Sequence, residues 1–296
     1  MTTVAVTPSG DAGTAARRRS PARSVLHAGK LTVFYLTLTG FAAVFMVPYI
    51  LALFASLKPA NQILTEAPWT FPSHLEWSNY TTTLFQQDFI RYLGNTALVT
   101  VILTTGQVVF SVIAAYAFAR LRFPGRDIIF WFYLVTLMIP NIVTIIPLYT
   151  IVRQMHLIGT YWAVFLPYVF GTPYTIFLIR QFFLNIPQEI IDASKIDGCN
   201  NAGTLWRVIV PLSRPVIITA TIIAFVFSWN NFLWPLIVTN PSHYVLTTGI
   251  ANFQSSFGTY WNLVLAAAMI TLLPLILIFT VFQRHIIRSI QLTQGH

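Results

Sequence analysis

The chain has 296 residues, 56% of them hydrophobic and only 8% charged, with a mean hydropathy of +0.69. That balance lies far from soluble averages and makes the bilayer the expected solvent. The formal charge of +9 raises nucleic acid as a partner until the charges are placed, and the single cysteine, Cys199, excludes an internal disulfide and argues against a zinc cluster.

Residues 1–30 are polar and basic, with Arg17, Arg18, Arg19, Arg23 and Lys30. They are expected to form a disordered cytoplasmic tail, and the apolar run that follows is too long for a signal-peptide core. Beyond the tail come windows free of Asp, Glu, Lys and Arg, each long enough for the roughly 20 apolar residues that cross a bilayer. They predict six transmembrane helices at about 31–57, 96–119, 128–152, 157–179, 215–238 and 260–283. Spanning strands would instead show short alternating segments. Pro48, Pro140, Pro147, Pro167, Pro173, Pro235 and Pro274 fall inside these windows and imply kinked, packed helices.

With the N-terminus inside, fourteen of the seventeen basic residues fall on the cytoplasmic side, as the positive-inside rule requires. Both termini are then cytoplasmic, and a multi-pass topology explains the charge without nucleic acid. The inside loop 180–214 is the longest connection on that side, and the tail 284–296 ends the chain there. In the loop, EIIDASKIDG concentrates charge: Glu189, Asp192, Lys195 and Asp197. Asn185 and Pro187 are helix-start signals and Gly198 a stop. A second short helix fits from Asn200 or Asn201 to Pro211, giving a helix, a glycine bend and a helix. Ile190, Ala193 and Asp197 share one stripe of the first helix, and Glu189, Asp192 and Ile196 another. On physics alone this is either an interfacial amphipathic element that closes the bundle or a docking element for a soluble partner.

The fifth window holds WNNFLWPL. Asn230 and Asn231 offer uncharged donors and acceptors, and Trp229, Phe232 and Trp234 offer flat apolar faces. Such a lining suits a sugar, with Asn141 and Thr144 as further polar candidates, whereas helix-to-helix bonding is the competing role for asparagines in a membrane. Trp69, Phe71, Trp77 and Tyr80, in the loop between Lys58 and Asn95, are candidates for meeting an external protein or for plain loop packing. The six histidines are scattered, so no metal or catalytic role is assigned. No GxxxxGK[ST] phosphate loop occurs. A secondary transporter with backbone ion sites is a lower alternative, and a channel lacks a visible selectivity ring.

DASKIDG, nine residues and then VIVP resemble the EAA signature of bacterial ABC importer membrane subunits, with Asp192, Ala193 and Ser194 at the triplet, Gly198 at the glycine and Val208–Pro211 at the ending. Asp192 stands where the pattern has Glu, and Ser194 where it has the second Ala. SLKP (56–59), RYLGNT (91–96), AYAFARLRFPGR (115–126), MIPNIVTIIPLY (138–149), WNNFLWPL (229–236) and QRHIIRSI (283–290) are similar, in the same order, to MalG-like permeases of the carbohydrate-uptake branch. The resemblance implies an all-α membrane protein of the type I ABC importer kind, with a permease domain over 31–290 in the bacterial cytoplasmic membrane. It implies that the loop is a coupling helix seated on a cytoplasmic ATPase dimer, with Glu189, Asp192, Ala193, Ser194, Lys195, Asp197 and Gly198 at the joint. It further implies a second, MalF-like permease subunit and an extracytoplasmic solute-binding protein. ATP and Mg are expected on the ATPase, with no cofactor on this chain. The cargo implied is a neutral sugar, with glycerol phosphate or its diester as the rival.

Overall fold

The structure, a computed structural model, describes residues 21–255 and 258–293, with side chains over 29–253 and 260–283. Two compact units divide the chain, Met1–Leu51 and Ala52–His296. The first consists of most of α1 (Pro21–Ser56). This helix starts ten residues before the apolar window, so only 1–20 of the expected tail lie outside the described residues. Every side chain from Gly29 to Ile50 is exposed. A helix that is apolar all round suits a hydrocarbon surrounding.

In the second unit, α2 (Ala60–Thr65) and α3 (Ser78–Thr81) precede a long helix, α4 (Phe89–Arg120). Then follow α5 (Arg126–Val135), α6 (Asn141–Gln154), α7 (Tyr161–Phe165), α8 (Pro173–Leu184) and α9 (Gln188–Ile196). Next come α10 (Asn201–Gly203), wide π turns over Thr204–Ile209, and α11 (Val210–Leu212). The chain closes with α12 (Arg214–Trp229), α13 (Leu233–Val238), α14 (Leu246–Ala251) and α15 (Trp261–Thr293). A two-residue antiparallel pair, β1 (Gln254–Ser255) with β2 (Gly258–Thr259), sits just before α15.

Among the described residues, the windows at 31–57, 96–119 and 260–283 alone become unbroken helices long enough to cross a membrane. Counting each bent pair as one span gives five, so the expected six includes segments that the structure breaks. The window 128–152 bends by 105° between Met138 and Asn141. Pro140 explains the break, because it pushes the preceding residue out of the helical region; Ile139 is extended, with φ −83° and ψ 115°. The window 157–179 divides into α7 and α8 around Gly171 and Pro173. Thr172, extended before that proline, caps α8 by accepting from Thr175 N at 3.3 Å. In 215–238, α12 ends at Trp229, capped by Asn230, and α13 restarts only at Leu233.

Helix α4 threads the core. Its C-terminal half supplies Val112, Ala115, Tyr116 and Ala119 to a cluster with Ile176, Ile179 and Phe183 of α8. Its middle supplies Val99 and Leu103 to a cluster with Ala163, Val164 and Trp234. At its start, Phe89 and Tyr92 meet Trp229, Leu246 and Ala267. One face of α4 buries Thr96, Thr100, Thr104, Gln107, Ser111 and Ala115, and α12 packs on α4 with Val216, Ala220, Ala224 and Ser228 buried at every fourth position. Hydrocarbon gives helices no hydrophobic reason to associate, so small residues that permit close van der Waals approach do the work. Gly106 is the tightest such point on α4, since a Cβ there would overlap the Val169 side chain and come within 2.9 Å of the Val169 carbonyl oxygen.

Candidate functional site

The site is the element formed by α9, the Gly198 bend and the helical stretch Asn201–Leu212. Its base is set by Arg120, the last residue of α4. One terminal nitrogen donates to the carbonyls of Phe183 and Ile186, and the other to Gln188 Oε1 at 3.1 Å. Those carbonyls lie at and just beyond the C-terminus of α8, a place that favours a cation. Gln188 Nε2 in turn donates to Asp192 Oδ1 at 3.0 Å. A line of hydrogen bonds thus runs from α4 to the acidic face of α9. Nearby, Arg180 of α8 donates to Phe118 O at 3.2 Å, lies 4.0 Å from the centre of the Phe130 ring and reaches Asp127 at 3.6 Å. The three elements α4, α5 and α8 are pinned together at this end.

Glu189 in the first turn of α9 and Lys195 in the last complement the helix dipole. The helix ends in a paired cap: Cys199 N donates to Ser194 O and Gly198 N to Lys195 O, both at 3.0 Å. This is the Schellman arrangement, and it places Gly198 at φ +82°, a region glycine enters freely. Asn200 then starts the next helix by accepting from Gly203 N at 2.8 Å. Two caps back to back make the bend a fixed corner.

The two stripes read from spacing left open which side of α9 is buried. The buried side consists of Ile191 and Ser194, with Ile190 partly covered. Ile191 joins Leu205 and Ile209 in the cluster beneath, alongside Phe183 and Tyr116. Ser194 donates to Ile191 O at 2.7 Å and lies 3.0 Å from Thr204 Oγ1, both hydroxyls being buried. This hydroxyl pair ties the two halves of the corner, so the serine in the triplet position faces inward. Glu189, Asp192, Ala193, Lys195, Ile196, Asp197 and Gly198 are all exposed, Ile196 by 86%. None of these charged residues takes part in the ion pairs formed among the described residues. The arrangement is a rigid platform presenting three carboxylates and one large aliphatic side chain to whatever lies beyond it.

The WNNFLWPL residues serve two purposes. Trp229 is buried, stacked on Phe225 with ring centres 5.5 Å apart, and donates to Thr271 O of α15 at 3.2 Å. Trp234 donates to Ala163 O of α7 at 2.9 Å. Both tryptophans are therefore helix joints. Asn230 is exposed and bonds back to Val226 O at 2.9 Å, Asn231 is half-buried, and Phe232 is exposed. Asn141 and Thr144 are exposed at the start of α6, where Thr144 donates to Asn141 O at 2.8 Å.

Two further polar joints went unread in the sequence. Lys58 is 1% exposed, its Nζ donating to Thr70 Oγ1 at 2.7 Å and to Ala67 O at 3.2 Å, with Glu66 at 3.7 Å. Asn79 donates to the carbonyls of Ser56 and Lys58 at 2.9 and 3.0 Å and accepts from Asn262 of α15 at 2.7 Å. This latch holds a stretch from which Trp69, Phe71 and Trp77 project into the surroundings. The second joint is Asn95, which donates to Ser242 O and Tyr244 O and accepts from Tyr161 at 2.7 Å.

Residues 107–292 match the family described as "Binding-protein-dependent transport system inner membrane component". The chain is 31% identical over 278 residues to the arabinooligosaccharides transport system permease protein AraQ of Bacillus subtilis, covering 92% of this chain and 97% of that protein. It is 33% identical over 201 residues to the sn-glycerol-3-phosphate transport system permease protein UgpE of Yersinia pestis, covering 67% and 71%. It is 32% identical over 245 residues to the sulfoquinovosyl glycerol transport system permease protein SmoH of Agrobacterium fabrum, covering 82% and 86%. The fold is similar to a chain in the crystal structure of a bacterial ABC transporter involved in the import of the acidic polysaccharide alginate, with a TM-score of 0.75 at 21% identity, covering 90% and 98%. Full-length similarity to permeases, the family match and the apolar helices agree on a multi-pass protein of the cytoplasmic membrane. The chain belongs to the binding-protein-dependent transport system inner membrane component family and is a permease subunit of the sugar ABC importer type.

Proposed function

We propose that this chain forms part of the membrane pathway of an ATP-driven importer for a neutral mono-, di- or oligosaccharide delivered by an extracytoplasmic solute-binding protein. The observation that carries the reading is the α9 corner, whose exposed carboxylates, doubly capped bend and buried underside suit a docking joint better than a solvated connector. In this reading the corner seats on a cytoplasmic ATPase dimer that binds ATP and Mg, and a second permease subunit completes the pathway. Glu189, Asp192 and Asp197 face basic groups of the ATPase, Ala193 and Gly198 allow close approach, and Ile196 fills an apolar recess. Ser194 acts from inside, through Thr204. Closure of the ATPase then moves the α8–α12 end as one piece. ATP drives the change because it binds one state more tightly than the other; equal affinity would shift nothing.

Asn141, Thr144, Asn230, Asn231 and Phe232 are assigned to the substrate pathway, with Trp229 supporting it from the α15 side. A second reading, glycerol phosphate or a glycerophosphodiester as cargo, is favoured by the similarity to the UgpE protein. The test is to purify the complex with its co-encoded subunits and screen ligands of the binding protein for stimulation of ATP hydrolysis. Stimulation by a neutral sugar supports the first reading, and stimulation only by a phosphorylated glycerol compound supports the second. Proton-driven uptake by this chain alone, without ATP, contradicts both.

A further inference from the structure

We propose that Arg180 is a positioning residue that makes α5, and through it the start of α6, follow the α9 corner. The inference rests on the reading of that corner as the ATPase joint, and it names how movement there reaches the polar residues assigned to the solute pathway. Arg180 lies in the second half of α8, the helix that leads into α9. Phe130 is the one buried residue of α5 in the described structure, and the Arg180 guanidinium lies over its ring, 4.0 Å from the centre. Arg180 Nε also donates to Phe118 O of α4 at 3.2 Å, and the Phe118 ring packs on Phe130 with centres 5.4 Å apart. One guanidinium thus ties α8 to both α4 and α5. A further tie, from the Tyr133 hydroxyl of α5 to Gly171 O ahead of α8, is long at 3.4 Å.

The carboxylate in this joint contributes less than the ring. The Asp127 side chain is 61% exposed, lies 3.6 Å from Arg180 and is shared with Arg126 at 3.1 Å, and ion pairs so open to water add little. The Arg180 side chain is only 13% exposed, and a cation largely removed from water holds well on an aromatic face. A planar guanidinium can lie on that face and still donate from its edge, which an ammonium does less well. Beyond α5 the chain bends by 105° between Met138 and Asn141. The far end of α6 travels with α4, because Val152 is buried with Val99 and Leu103. The near end, residues 141–147, belongs to none of the three clusters, so it travels as α5 does. Without the Arg180 joint the corner, α8 and α4 would move while Asn141 and Thr144 lagged behind. ATP would then be hydrolysed with the pathway only partly rearranged.

The test uses the assembled transporter in proteoliposomes and measures solute taken up per ATP hydrolysed, with the sugar or glycerol compound found to stimulate hydrolysis. Arg180→Gln is expected to assemble and hydrolyse ATP yet carry on the order of tenfold less solute per ATP, within the usual range of coupling between two sites. Arg180→Lys keeps a cation over Phe130 and should recover part of the ratio, whereas Asp127→Asn should stay near wild type. If Arg180→Gln does not fold, Phe130→Leu replaces it, keeping an apolar side chain while removing the ring face. Spin labels on Ile128→Cys and Leu184→Cys, in a Cys199→Ser background, give a second readout. Their distance should hold constant between nucleotide-free and ATP-bound states with Arg180 present, and shift or broaden on ATP binding in Arg180→Gln. A wild-type ratio in Arg180→Gln would overturn the inference. So would equal falls in hydrolysis and uptake that track a lower thermal midpoint, or a label distance that changes with ATP while Arg180 is present. Gly198→Asp separates this inference from the reading beneath it. If Gly198→Asp uncouples and Arg180→Gln does not, the Arg180 joint alone fails; if Gly198→Asp is itself fully coupled, the corner reading falls and this inference with it.

Discussion

Gly198 is exposed, and an added Cβ would have nothing within 4 Å, so its importance lies in its backbone angle rather than in crowding. A left-handed conformation costs an ordinary L-residue about 1–2 kcal/mol, and Asn tolerates it best. Gly198→Asn should therefore keep the corner and its thermal midpoint, whereas Gly198→Val should lower the midpoint and loosen the bend. Protease susceptibility between α9 and α10 reads the difference. The Ser194–Thr204 pair makes a second prediction at this scale. Ser194→Ala leaves the Thr204 hydroxyl buried with its partner gone, at a cost of about 1–3 kcal/mol. Adding Thr204→Val removes the orphan and should recover part of the loss. A double-mutant cycle by thermal unfolding measures this, and simple additivity would show that the two hydroxyls do not interact.

At the scale of elements, the corner depends on Arg120. Arg120→Ala removes the donors to Phe183 O, Ile186 O and Gln188, so amide exchange over 186–196 should quicken while that in α4 stays slow. Gly106→Val should destabilise the protein by about 1–3 kcal/mol through overpacking against Val169, read as a lower midpoint. The corner was legible in the sequence because caps and a stop glycine are local signals: Asn200, Gly198 and the acid-rich run fell where the structure has them. Its buried side was not, since Ile191 and Ser194 are covered by Thr204, Leu205 and Ile209 across the bend, and helical spacing alone does not say which stripe meets a neighbour. The apolar windows located helices but not their breaks, although Pro140 and Pro173 marked two of them. The α4 stripe from Thr96 to Ala115 was readable at four-residue spacing, yet in so apolar a segment small polar residues look like interruptions rather than contact faces.

At the scale of the whole molecule, the broken helices and the pinned end follow from one economy of packing: α4 stays unbroken and contributes to all three clusters, while the segments around it bend at proline and asparagine. Among the described residues the chain combines a bend capped on both sides at Gly198 with helix breaks at Pro140, Pro173 and Asn230. If, as proposed, the α9 corner transmits the work of ATP hydrolysis to this helical unit, changes on its exposed face should uncouple hydrolysis from uptake. The direct measurement is parallel ATP hydrolysis and solute uptake by the assembled transporter in proteoliposomes, comparing wild type with Gly198→Asp and Asp192→Lys. Both variants are expected to insert, assemble and hydrolyse ATP while uptake falls by at least about tenfold, a change of roughly 1.4 kcal/mol in coupling. Uptake at the wild-type rate and stoichiometry in both variants would contradict the proposed coupling.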